Sequence, residues 1–173
     1  DNGNTIWHNV PYICDVTTIR IQRPTYAQRE YYNGHKKYHT VDFHCTHSGT
    51  GRLYSTVGPI AGSHNDIQAA KESLLYSHRD TYLAPGHAAL ADLAYHGIGD
   101  PFLCRISYQE HYTHEEQTYN ICHSRARVIS ENWYGRFKIY WTYWTKPWAM
   151  KLDDIGIAFR SLAIITNIII TIQ

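Results

Sequence analysis

Polar and apolar residues alternate along 12–22 and again along 38–47, where Tyr38, Thr40, Asp42 and His44 interleave with His39, Val41, Phe43 and Cys45. A period of two predicts strands. The first ends at Arg23-Pro24, and the polar stretch 24–37 carries the turn pair Asn33-Gly34. Ser48-Gly49-Thr50-Gly51 is a tight turn, so a third strand over 52–60 completes a β-hairpin over 38–60, closed by Gly58-Pro59 and Gly62. Residues 64–78 carry Ile67, Ala70 and Leu74 or Leu75 on one helical face, with Ser63 as the expected N-cap. Pro85-Gly86 breaks the chain. The short apolar run 88–94 predicts a fully buried strand, and 102–107 a further short one. Residues 114–144 form the strongest helical pattern. Trp133, Phe137, Tyr140, Trp141 and Trp144 fall on one stripe until Pro147 stops it. Asp153 and Asp154 open a last helix, whose acids complement the dipole. Its body, 155–172, is long enough to span a membrane, but Arg160 and Asn167 lie inside it, and a buried core helix is expected.

Composition changes this picture little. The 173 residues suit one domain, 1–173, with a core over about 12–144 and a terminal helix over 152–173. Tyrosine (15), tryptophan (5) and histidine (12) exclude a low-complexity linker. With a formal net charge of +1, any nucleic-acid surface has to be local. Four widely spaced cysteines (Cys14, Cys45, Cys104, Cys122) read as reduced thiols, and no secretory signal pattern is present, so a secreted protein is not expected. The chain opens at Asp1, so an upstream segment is expected.

Three acids stand out. Asp15 sits mid-strand between Cys14 and Val16, Asp92 sits within the apolar run, and Glu131 lies on the polar face of the long helix. A carboxylate inside an apolar strand is costly unless it is paired or bound to a metal. Each acid also has a plainer reading. Asp15 or Asp92 could reach solvent or an arginine from a strand end, and Glu131 could pair with Arg127 one turn earlier. Converging carboxylates suit Mg²⁺ or Mn²⁺, hard ions that prefer oxygen. Two such ions about 3.5–4 Å apart can activate a water and stabilise the leaving oxygen in phosphodiester cleavage.

Several blocks resemble, in chain order, the catalytic domain of the DDE superfamily endonucleases, the Harbinger- and IS5-like transposases (DDE Tnp4 type). They are Asp15 and the strand after it, Tyr31 to Thr40, Gly62-Ser63-His64-Asn65-Asp66 with Lys71-Glu72-Ser73, Leu90 to Tyr95, and Ser124 to Asn132 followed by Gly135-Arg136-Phe137-Lys138. The resemblance covers about residues 12–144. It implies an RNase H-like α/β fold, a mixed five-stranded sheet flanked by helices. It also implies a divalent-metal nuclease site with Asp15, Asp92 and Glu131 as catalytic ligands and Asp66 as a fourth acidic position. Asp66 equally fits the first turn of a helix, where an acid serves the dipole. The implied partners are transposon ends and target DNA, with a helix-turn-helix region expected upstream, an oligomer allowed and no membrane. The expected compartment is the nucleus if the source is eukaryotic and otherwise the cytoplasm. Val16 and Leu93 are bulkier than the family's residues at those places and could narrow the metal pocket.

Phosphate contacts need a basic stripe. The candidates are Lys36 and Lys37 near the hairpin, and Arg125, Arg127, Arg136 and Lys138 on the Glu131 helix. His44 and His47 with Cys45, and His111 and His114 with Glu115, lack a second ligand pair at zinc spacing, and no phosphate-binding glycine loop occurs. The expectation is therefore a two-metal DNA nuclease or transposase domain that leaves a 3′-hydroxyl. The first alternative is a degenerate or domesticated derivative that binds DNA or protein without cutting. A weaker one is an RNase H-like nuclease acting on RNA. The nuclease reading requires Asp15 and Asp92 to share one side of the sheet and Glu131 to face them.

Overall fold

The computed structural model describes residues 9–104 and 111–172. In chain order its elements are β1 (Tyr12–Arg20), α1 (Gln28–Tyr31), β2 (Tyr32–Asn33), β3 (Tyr38–Ser48), β4 (Leu53–Ala61), α2 (Asp66–Lys71), α3 (Leu74–Ser77), α4 (Arg79–Tyr82), β5 (Ala89–Ala91), β6 (Phe102–Cys104), α5 (His114–Tyr140) and α6 (Leu152–Ile172). β1 is central. It pairs antiparallel with β3, which pairs antiparallel with β4 and, at its start, with the two residues of β2. On its other edge β1 runs parallel to β5, and β5 to β6. The five main strands, counted in chain order, thus lie 3-2-1-4-5, and helices cover both faces: this is the RNase H-like arrangement the resemblance implies.

Alternation along β1 serves two cores. Ile19 and Ile21 join Val41, Phe43 and Cys45 of β3 under Trp133 and Phe137 of α5 and Ile155 and Phe159 of α6. Cys14 points the other way, to Ala70, Leu75, Tyr95 and Phe102. His44 and His47 divide between these faces, His44 against Tyr95 and His47 against Trp133 and Tyr134, which excludes a shared metal. All four cysteines are free.

Several boundaries move for identifiable reasons. The predicted helix over 64–78 is two short helices. Asn65, not Ser63, caps α2 by accepting from Gln68 N–H, while Ser63 N–H bonds the Glu30 carbonyl. Buried Ser73 then donates to the Ala70 carbonyl and caps α3. The strand predicted over 88–94 stops at Ala91, because the Asp92 carboxylate accepts from Leu93 N–H at 2.6 Å and starts a 3-10 turn. The last predicted strand is confirmed over Phe102–Cys104; its remainder, 105–107, lies outside the described residues. α5 begins with a capping box between Thr113 and Glu116 and ends at Tyr140, and a 3-10 turn carries Trp144 into the core. Gly62 is forced by close approach, since a Cβ there would stand 2.8 Å from the Thr40 carbonyl oxygen.

α6 departs most from expectation. It buries only one face, through Ile155, Gly156, Phe159, Ala163 and Thr166. The two polar residues that argued against a membrane span fasten it to the sheet. Arg160 donates to the Gly58 carbonyl at 2.9 Å. Asn167 accepts from Leu53 N–H and Trp133 Nε1 and donates to the Leu53 carbonyl at 2.7 Å.

Candidate metal and nucleic-acid site

β5 pairs with β1 only through Tyr12 and Ile13, so the edge of β1 from Asp15 onward is free of β5. A cleft of about 600 Å³ opens there, lined by Asp15, Val16, Thr18, Asp42, Asp66 and Asp92 together with the loop residues Asn33 to His35 and Ser63 to Asn65. Asp15, two residues past the last β1 residue that pairs with β5, and Asp92, just beyond the C-terminal end of β5, therefore both open onto this cleft.

Arg127 joins them. Its guanidinium contacts Asp15 Oδ1 at 3.3 Å and Asp92 Oδ1 at 3.1 Å, and its Nε is buried without an acceptor. The Asp15 and Arg127 side chains are 17% and 14% exposed, and Asp92 is 42% exposed. Asp15 also accepts from Val16 N–H at 2.9 Å and from Ser130 Oγ at a long 3.5 Å, while Tyr134 donates to its backbone carbonyl. Burial pushes the Asp15 carboxyl above the usual carboxylate range; Arg127 opposes the rise and Asp92 adds to it. Burial also raises Asp66, with Asp92 adding its charge.

Asp42 was not singled out from the sequence. Burial pushes its carboxyl up to about 6 against the Thr18 hydroxyl, with Asp66 adding to the rise, and its Oδ1 is buried with no hydrogen-bond partner. The signal was the one that flagged Asp15, an acid within a strand. It was missed because the polar row of β3 reads as a solvent face until the second core is seen to cover it.

Glu131 is exposed, one turn after Arg127, and is not among the residues lining the cleft. The plainer alternative for Glu131, an ion pair with Arg127, is not formed among the described residues; Arg127 turns to the two aspartates instead. As the side chains lie, no three acids, histidines or cysteines among the described residues stand close enough to grip one ion. Lys36 sits in the turn at the cleft mouth, where its charge reaches Asp42, and Lys37 follows it in a left-handed conformation. Lys138 shares the Arg127–Glu131 flank of α5 by helical spacing. Arg125 and exposed Arg136 lie on another flank, Arg136 beside Gly49 to Gly51. Val16 does line the cleft, whereas Leu93 does not.

The sequence profile of the DDE superfamily endonucleases matches residues 14–167. The chain belongs to this family. The match takes in every candidate acid and most of α6, well beyond the blocks that carried the resemblance. No characterised protein and no solved structure matches the chain significantly. As a DDE endonuclease-type domain, it has DNA as the substrate class its family implies.

Proposed function

We propose that this domain cleaves DNA phosphodiester bonds with Mg²⁺ or Mn²⁺ held by Asp15 and Asp92, with Glu131 as third ligand and Asp66 as a fourth acidic position. The observation that carries the reading is the meeting of Asp15 and Asp92 in one cleft, clasped by a single cation, Arg127. The chemistry of the donors suits a hard divalent ion, since all are carboxylate oxygens and burial and mutual charge raise Asp15 and Asp66. Gripping the ion would require these side chains to draw together and Glu131 to turn inward from its exposed position. When bound, such ions supply an acidified water and stabilise charge at phosphorus. The chain's own groups do the rest. Val16 N–H orients the Asp15 carboxylate, and Lys36 and Lys37 hold phosphates at the cleft mouth. Lys138 extends the contact along α5, and Arg125 and Arg136 contact more distant duplex. The product carries a 3′-hydroxyl, which in transposition attacks target DNA; transposon ends and target are the proposed substrates.

The test is Mn²⁺-dependent nicking of supercoiled plasmid by the wild-type chain and by Asp92→Asn, with folding checked by circular dichroism. Nicking by the wild type that Asp92→Asn abolishes is expected. Nicking that survives in Asp92→Asn refutes the site.

One observation favours a second reading, a derivative that binds without cutting. Arg127 already pairs with both central carboxylates, and Val16 lines the cleft beside them. On that reading the wild type binds duplex DNA but does not nick it with any divalent ion.

A further inference from the structure

α6 leaves a row of isoleucines uncovered. Ile157 and Ile164 are 64% and 62% exposed, Ile168 is 52% and Ile172 81%, and Ile165 stands beside them. Together they leave on the order of 500 Å² of apolar surface open, as much as the largest patch of a typical monomer. That is more than half of the roughly 800 Å² a standard interface needs from each partner.

The spacing names the kind of partner. Ile157, Ser161, Ile164 and Ile168 recur in steps of four, three and four, with Thr171 and Ile172 sharing the next step. This is the seam one helix presents to another. A lipid-facing helix needs no such seam, and the exposed side of α6 also carries Asp153, Asp154 and Arg160.

We propose that this face binds the same face of a second copy of the chain, with the two α6 helices antiparallel about a two-fold axis. The charges select this occupant and its direction. A groove beside the C-terminal half of α6 is lined by exposed Arg52 together with Ile164, Asn167, Ile168, Thr171 and Ile172. The first turn of α6 carries exposed Asp153 and Asp154 and no basic residue. An antiparallel register that sets Ile157 against the partner's Ile168, and small Ser161 against the partner's Ile164, also sets Asp153 and Asp154 beside the partner's Ile172 and Thr171. There they meet the partner's Arg52. The contact is isologous, so each end of the seam gains the same ion pairs. A parallel pair would leave both acidic turns together and both arginines together. This surface lies outside the acidic cleft, so the inference does not depend on the nuclease reading.

Sedimentation equilibrium of the full chain tests it, with added phosphatidylcholine–phosphatidylglycerol vesicles as a second arm. A concentration-dependent dimer that leaves the vesicles unbound is expected. Ile164→Glu with Ile168→Glu should raise the dissociation constant at least about a hundredfold. Arg52→Glu, which leaves both cores intact, should raise it about tenfold, and adding Asp153→Lys and Asp154→Lys should restore it. A wild type that stays monomeric, a dimer indifferent to the isoleucine and Arg52 changes, or vesicle capture in place of self-association overturns the proposal.

Discussion

Replacing Arg127 with methionine removes the cation that contacts both Asp15 and Asp92 while keeping the bulk of the side chain. Breaking a buried ion pair from one side costs about 3–5 kcal/mol, because a desolvated charge is left behind. Asp15 belongs in that class at 17% exposure. Asp92, at 42%, is largely rescued by water and adds about 0–1 kcal/mol. Asp15 retains the Val16 N–H and the long Ser130 contact, which places the loss near the low end, about 3 kcal/mol at pH 7. For a chain of this size that is a fall of about 6–12 °C in Tm. The loss has a pH signature. Burial already holds the folded Asp15 carboxyl above its usual range, and without Arg127 it rises further. An acid raised in the folded state costs nothing where both states are protonated. The gap between variant and wild type is therefore absent below the ordinary carboxylate range and opens as pH rises through the raised folded value. Divalent ions add a third readout: saturating Mn²⁺ should raise the Tm of Arg127→Met more than that of the wild type, since the ion no longer competes with the guanidinium. Thermal unfolding between pH 4 and 8, with and without Mn²⁺, measures all three. A gap under about 1 kcal/mol at pH 7, a gap independent of pH, or equal Mn²⁺ stabilisation of both proteins would refute the reasoning.

Three further outcomes are expected. The Asp42 carboxyl, pushed up to about 6, should lower wild-type stability as pH rises from the ordinary carboxylate range through 6, so Asp42→Asn gains about 2–3 kcal/mol on the wild type between pH 4 and 7 by urea denaturation. His44 works in the opposite sense: burial lowers it to about 4 with both ring nitrogens unpaired, so its contribution is present above about 6.5 and lost as pH falls towards 4, and His44→Leu should flatten that loss. Asn167→Ala orphans the Leu53 N–H and carbonyl and the Trp133 indole N–H, which should cost about 3–4 kcal/mol and raise hydrogen exchange at the α6–β4 contact.

The strands and the long helix were legible because their periods are strong. Ile19, Ile21, Val41 and Phe43 alternate over a sheet with two covered faces, and Trp133 and Phe137 repeat at helical spacing. Asp15 was legible as an acid in an apolar strand. What stayed hidden depends on contacts between distant segments. Asp92 looked buried within a strand because the apolar run continues past it; only the capping bond to Leu93 shows that the strand has ended. Asp42 is disguised by a polar row that α2 and the 3-10 turn then cover. α6 looked like core because its apolar residues surround the helix, and burial of one side only is decided by β4 and α5. Arg127 read as a phosphate contact because a charge pattern on one helix cannot show which carboxylates cross the sheet edge to meet it.

Glu131 is where the family pattern and the folded geometry are furthest apart, and α5 itself supplies a way to reconcile them. Four residues along a helix is about 40° beyond a full turn and about 6 Å of rise. Glu131 therefore stands on the same flank as Arg127, next to Ser130, whose hydroxyl faces Asp15. If Arg127 occupies the place of a cation, its displacement would leave the two aspartates to the ion and free the flank of α5 that Glu131 shares with it. Calorimetric titration with Mn²⁺ in the absence of DNA separates the possibilities. Glu131→Gln should weaken binding at least about tenfold, and Asp15→Asn should do so at least as strongly. Unchanged Mn²⁺ affinity in Glu131→Gln would leave Glu131 as a rim acid and transfer the third position to Asp66 or Asp42, the two other carboxylates that line the cleft with Asp15 and Asp92.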